Sequence, residues 1–396
     1  MSKNRTLEFA KPEKIGLSKD GLDRLGKTLE REIADGRLPG AVALVAREGR
    51  IGYFEALGKR DPNGAGAMER DAIFRIYSMT KPIVSTAIMM LVEEGRILLA
   101  DPLSKFIPAF AETKVGVLRD DELTQVAPHR PISIQDLLRH TSGLTYDFVG
   151  DGPVQRLYAE ANLGRLNQTN ADQAEALARL PLLNQPGSTW DYSRSTDVLG
   201  RVVEVVTGRT LGEELKARIL EPLGMEDTGF HVPAKQQGRI AEPFATDPEA
   251  QTPVKLLNVA RPAMFESGGG GLVSTAMDYA RFCAMLAGGG ALAGTRILAR
   301  KTLELMASDH LGPHVRRGSD LLPSGHGFGL GFAVRNAPGM TFVPGSPGLF
   351  YWGGIAGTTF WIDPKEDMFA LLMIQAPGQR DYFRMLFRTL AYAALE

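Results

Sequence analysis

Apolar residues recur at Leu22, Leu25, Leu29 and Ile33, a spacing that lines one face of an α-helix, and Ser18 stands where an N-cap side chain would accept the first free amides. The pattern then changes to two short runs, Ala41 to Ala46 and Ile51 to Leu57, on either side of Glu48-Gly49. That change predicts a strand, a tight turn and a second strand. From about Ser78 to Glu94 the chain is apolar almost without interruption until Gly95. The run predicts a helix buried on most of its faces and closed by a left-handed glycine.

Between about 101 and 262, proline and polar residues break up shorter helical patterns at Ile134 to Leu138, Ala171 to Leu180 and Val198 to Val206. This stretch reads as a mostly helical region inserted into an α/β lobe. A glycine tract from Gly268 leads into a helix over Thr275 to Ala287. The tail alternates short apolar runs (Phe332-Ala333-Val334, Tyr351-Trp352, Thr358 to Ile362, Met368 to Ile374) with turns at Gly353-Gly354 and Asp363-Pro364, before a last helix over Asp381 to Leu395. The predicted fold class is therefore α/β in the α+β sense, an antiparallel sheet flanked by helices plus a mostly helical domain. Residues 1–100 and 263–396 would form the discontinuous α/β domain and 101–262 the helical one, with an active site in the cleft between them.

Composition narrows the partners. The 396 residues carry 45 basic and 46 acidic side chains, a net charge of −1, so no electrostatic footprint marks a nucleic-acid or anionic membrane surface. The first residues, MSKNRTLEFAKPEKIG, lack the apolar core of a secretory signal. Later apolar runs are too short to span a bilayer. The expectation is a soluble, cytoplasmic protein acting on a small molecule, its oligomeric state left open. The single cysteine, Cys283, lies in the run Tyr279 to Leu286 and reads as a small buried hydrophobe.

The chemistry starts at Ser78-Met79-Thr80-Lys81. Residues three apart at a helix start share a face, one turn from each other. A serine hydroxyl is a poor nucleophile until a base takes its proton, and lysine can be that base only if desolvation or a positive field depresses its pKa. The first helical turn would supply the field, and its free N–H groups could also stabilise an oxyanion. A chain this long is nevertheless expected to hold about half to one such tetrad by accident. A second element, Trp190-Asp191-Tyr192-Ser193-Arg194-Ser195, follows the turn Pro186-Gly187-Ser188 and precedes an apolar helix. The Tyr192 phenol could exchange protons with Ser78 if the Lys81 ammonium favours its anion; a packing role is the competing reading.

Together these segments resemble the class C β-lactamase and penicillin-binding-protein-like superfamily, and within it the family VIII carboxylesterases, whose relatives carry the Ser-x-x-Lys tetrad. The resemblance extends through Leu137 to Leu144, Glu221 to Met225, Gly268 to Ser274, Phe328 to Phe332 and Trp352-Gly353-Gly354-Ile355. It implies a β-lactamase/transpeptidase-like fold, with Ser78, Lys81 and Tyr192 catalytic and the backbone N–H groups of Ser78 and Ile355 forming the oxyanion hole. It also implies that Trp352 lines the pocket, with Gly353 and Gly354 admitting close approach to the acyl group, and that Tyr146 and Arg194 border the substrate. Two departures matter: Trp352 replaces the third-motif lysine of β-lactamases, and Arg194 stands where an amide-recognising asparagine is usual. The implied activity is a carboxylesterase for small, short-chain acyl esters. A β-lactamase or amide hydrolase, an acyltransferase, and a catalytically silent binding protein stay open as alternatives.

No serine here sits in Gly-x-Ser-x-Gly, so an α/β-hydrolase triad is not expected, and His140 reads as structural. His310 and His314 flank Gly312-Pro313, which would break the helix needed to aim both at one metal. The Gly268 to Gly271 tract lacks the lysine of a P-loop. Neither a metal nor a cofactor is expected.

Overall fold

A computed structural model describes residues 7–64 and 66–396. The Ser18 hydroxyl accepts the Gly21 amide at 3.3 Å and starts helix α1, Lys19–Ala34, whose Leu22, Leu25 and Leu29 are buried. Strands β1 (Gly40–Arg47) and β2 (Arg50–Gly58) pair antiparallel around Glu48 and Gly49, which take φ of 52° and 69°. Two left-handed residues give the turn the twist of the strands it joins.

Helix α2 spans Thr80–Glu93, every residue from Thr80 to Leu91 buried, and Gly95 closes it at φ 69°. Helices α3 (Ser195–Thr207) and α4 (Ala276–Ala287) follow, then strands β3 (His326–Phe328), β4 (Ala333–Arg335), β5 (Phe350–Gly353), β6 (Thr359–Asp363) and β7 (Met368–Met373), and helix α5 (Arg380–Tyr392). The seven strands form one sheet in the order β3-β4-β5-β6-β7-β1-β2, antiparallel throughout.

β1 shows how the sheet separates two cores. Ala41, Ala43 and Val45 point into a cluster with Leu25 and Leu29 of α1 and Phe383 and Phe387 of α5. Val42, Leu44 and Ala46 point the other way, into a larger core holding Phe282 and Cys283 of α4 and much of α2. The two-residue period of a strand sorts them. Cys283 is fully buried with a free thiol, in keeping with its reading as a hydrophobe.

Two local expectations differ from the structure. The helix expected from about Ser78 starts at Thr80, because Tyr77, Ser78 and Met79 form a single 3-10 turn entered through Tyr77 at φ 43°, a conformation that cannot continue a right-handed helix. The stretch read as mostly helical also contains an antiparallel ribbon, Val115–Arg119 with Glu122–Val126, turned by Asp120 and Asp121 at φ 51° and 64°. Its strands are only half buried, so hydrophobic alternation is weak where aspartate's tolerance of left-handed backbone makes the turn. Among the described residues no helix is long and apolar enough to cross a membrane.

Candidate active site

The strained Tyr77 delivers Ser78. Its phenol oxygen accepts the Leu257 amide at 2.8 Å, and Tyr279 of α4 donates to the Met79 carbonyl at 2.8 Å. The turn is thus gripped from both sides, which holds a left-handed non-glycine residue in place. Ser78 is half buried and lines two cavities.

Lys81, on the first turn of α2, is 1% exposed. Its ammonium donates to Ser78 Oγ at 3.3 Å, to Tyr146 Oη at 3.1 Å and to the Gly269 carbonyl at 2.7 Å, so its three N–H groups are all engaged. It also lies 4.5 Å above the Tyr192 ring centroid. Burial works against this charge, yet the oxygens of Tyr146 and Tyr192 and the Asp197 carboxylate outweigh it, and the ammonium is held above the ordinary lysine range. Desolvation is present, but the acceptors around Nζ oppose it.

Tyr192 is fixed from behind. The His140 ring lies 5.0 Å from its ring, and a buried hydroxyl chain ties the two loops together: His140 Nδ1 to Ser193 Oγ at 3.0 Å, Ser193 to Ser195 at 2.8 Å and Ser195 to Ser142 at 2.8 Å. Burial and the Lys81 charge drive His140 well below the ordinary histidine value. It is a neutral packing and hydrogen-bonding group, in keeping with its structural reading. On the other side Trp352 Nε1 donates to Tyr192 Oη at 3.2 Å. That bond uses one acceptor position of the Tyr192 oxygen.

Trp352 belongs to β5, and the turn after it carries Gly354 and Ile355. A β-carbon on Gly354 would lie 2.4 Å from the Ile76 carbonyl, so only glycine lets this turn press against the Ser78 segment. Gly353 and Ile355 line the larger cavity with Ser78, Tyr192 and Trp352, whereas Gly354 faces Ile76. Arg384 of α5 clamps the same turn, donating to the carbonyls of Gly354 and Thr358, and burial lowers it to about 10. Nothing in its sequence surroundings signalled this, because α5 meets the turn only in three dimensions.

The larger cavity is about 550 Å³ and includes Ser319, Arg380 and Arg384; the smaller, about 280 Å³, is walled by Leu166, Phe230 and Phe265 and bordered by Tyr146 and Arg194. Ser78, Phe148 and Ile355 line both. A cavity of about 870 Å³ between α1 and β2 touches none of these residues. Tyr146, expected as a pocket residue, also holds Lys81 directly. Arg194 is committed to Asp147 at 3.2 Å and Asp197 at 3.7 Å.

Behind Tyr192, Asp191 is 3% exposed and its Oδ1 has no partner among the described residues. Burial raises its carboxyl to about 7, against a hydrogen bond from Thr145. A carboxyl that keeps its proton to about 7 in the fold, against an ordinary 3.8, makes the fold progressively less stable as pH rises across that window. Asp191→Asn is therefore expected to match the parent's Tm near about pH 4 and to exceed it by several degrees at about pH 8. Thermal unfolding at both pH values is the check, and a pH-independent difference would contradict the assignment.

The beta-lactamase family profile matches residues 25–394. Esterase EstB of Burkholderia gladioli is 32% identical over 368 residues, 88% of this chain and 89% of that protein. The lovastatin esterase of Penicillium rubens is 29% identical over 375 residues, covering 88% and 92%. Among solved structures, EstCE1, described as a hydrolase with promiscuous acyltransferase activity, superposes with a TM-score of 0.79 at 29% identity, covering 94% of this chain and 99% of that one. With a Ser-x-x-Lys turn packed against the turn that follows β5 and relatives that are esterases, the chain belongs to the beta-lactamase family and is a serine hydrolase.

Proposed function

We propose that the protein is a carboxylesterase of the family VIII kind, cleaving esters of small acyl groups through an acyl-enzyme on Ser78. The observation that carries this reading is the Lys81 ammonium, bonded to Ser78 Oγ and stacked over Tyr192. In acylation Ser78 Oγ bonds to the ester carbonyl carbon and gives its proton to the Lys81/Tyr192 pair. One member of that pair must stand deprotonated to accept it, and with Lys81 held as an ammonium that member is Tyr192, whose oxygen takes the proton beside the cation. The backbone N–H groups of Ser78 and Ile355 receive the oxyanion. The carbon–alkoxide bond then breaks as Tyr192 returns the proton to the leaving oxygen, and water repeats the sequence to release the acid.

Tyr192 lines the larger cavity and not the smaller. A leaving oxygen protonated by Tyr192 therefore departs into the larger space, which assigns the apolar chamber of about 280 Å³ to the acyl group and the larger one to the alcohol. This reading takes 1–100 and 263–396 as one α/β domain and 101–262 as a mostly helical one, with Ser78 in the cleft between them. A second reading, acyl transfer, is favoured by the roomier leaving-group side, where an acceptor alcohol could replace water.

The test is intact-protein mass spectrometry after brief exposure to esters varied separately in acyl and alcohol, with a cephalosporin alongside. The cephalosporin is needed because Arg380 and Arg384 line the larger cavity, so the site has cations although Trp352 replaces a lysine. Expected are transient acyl adducts on Ser78, strong discrimination by acyl size and tolerance of the alcohol. Preferential acylation by the cephalosporin would overturn the esterase assignment. Labelling of no residue by esters or by a fluorophosphonate would point to a silent binding protein.

A further inference from the structure

Lys81 meets its strongest acceptor, the Gly269 carbonyl, at 2.7 Å, and that carbonyl is itself held in place. The Asp197 carboxylate, 1% exposed on the first turn of α3, accepts the Gly269 amide at 2.9 Å and the Ser267 hydroxyl at 2.6 Å through the same oxygen. One residue thus links the two charges: the Gly269 N–H faces the carboxylate and the Gly269 carbonyl, in the next peptide unit, receives the ammonium. The fit leaves no room for a side chain, since a β-carbon on Gly269 would lie 2.9 Å from both Asp197 Oδ2 and the Tyr146 hydroxyl. The glycine tract that resembled a phosphate loop is explained here by close approach.

The charges around this link alternate. Asp147 pairs with Arg194 at 3.2 Å, Arg194 with Asp197 at 3.7 Å, and Asp197 faces Lys81 across Gly269. The other groups facing Lys81 are the Tyr146 and Tyr192 phenols and neutral His140, with Ser78 on the 3-10 turn just before its helix. Lys81 is thus a buried cation with no carboxylate hydrogen-bonded to it among the described residues, and Asp197 is the carboxylate that reaches it through Gly269.

We infer that Asp197 is a positioning residue of the acyl-transfer machinery: it fixes Gly269 so that the carbonyl of that residue receives the Lys81 ammonium. The assignment rests on the Ser78–Lys81–Tyr192 reading. Asp197 borders the smaller cavity as well, but its hydrogen bonds go to the Gly269 amide and the Ser267 hydroxyl, so it reaches the reacting groups by way of Gly269 and Lys81.

Asp197→Asn keeps an acceptor for Gly269 and Ser267 while removing the charge. The variant is expected to stay within tenfold of the parent kcat at about pH 6 and to show an alkaline limb at lower pH than the parent's, with KM changed less than about threefold. Asp197→Glu, which keeps the charge, is expected to move the limb back toward the parent. If Arg194, left without Asp197, destabilises the single variant, the double variant Asp197→Asn, Arg194→Gln removes both charges and is expected to show the same limb, because the carboxylate is the one that contacts the Lys81 peptide link. A uniform loss at every pH, or an effect confined to KM, would overturn the inference. Labelling of the parent by a fluorophosphonate at Ser78, absent in Ser78→Ala, separates failure of this inference from failure of the catalytic reading.

Discussion

Ser78→Ala is expected to reduce hydrolysis of a short p-nitrophenyl ester to background, a loss on the order of 10⁴-fold or more, while the protein stays folded. The serine hydroxyl has one hydrogen bond, from Lys81 at 3.3 Å, and that ammonium keeps Tyr146 and Gly269 as acceptors. Removing one oxygen from a half-buried position leaves no orphaned charge, so Tm should stay within about 2 °C of the parent. The strained Tyr77 does not depend on the serine, because its own hydroxyl is anchored at Leu257. Turnover comparable to the parent, with an intact melting curve, would remove Ser78 from the mechanism.

Tyr192→Phe separates the two candidate bases. If the phenol carries the proton between Ser78 and the leaving group, kcat should fall by about 10²- to 10⁴-fold with little change in KM, the range for loss of a general acid–base. Stability should fall too, by about 1–3 kcal/mol, because Trp352 Nε1 is buried and loses its acceptor. The two effects can be measured apart, by steady-state kinetics and by denaturant unfolding. A Tyr192→Phe variant that is less stable yet turns over at the parent rate would return the base role to Lys81, against the retention of its charge.

Much of this molecule is legible from spacing. The period at Leu22, Leu25 and Leu29, the cap at Ser18 and the turn at Glu48-Gly49 encode their structure locally, because capping, left-handed glycine and two-residue alternation depend on near neighbours. The tetrad and the tail strands were readable for the same reason. The ribbon at Val115–Arg119 and Glu122–Val126 was not, since its half-exposed strands carry little alternation.

The site divides along the same line. Ser78 and Lys81 sit on neighbouring turns, so their meeting was legible from spacing; Tyr192 was legible as a candidate from its place between a turn and a helix, and the resemblance added Trp352 and Ile355. The groups that surround the Lys81 ammonium, in contrast, come together only through packing. Its acceptors, Tyr146 and Gly269, lie 65 and 188 residues away, and Asp197 and Arg384 reach the site from helices with no motif to mark them. Desolvation follows from a run of apolar neighbours and could be read in advance. The opposing field comes from oxygens that only the packed fold brings within hydrogen-bonding distance, and at this buried position it prevails.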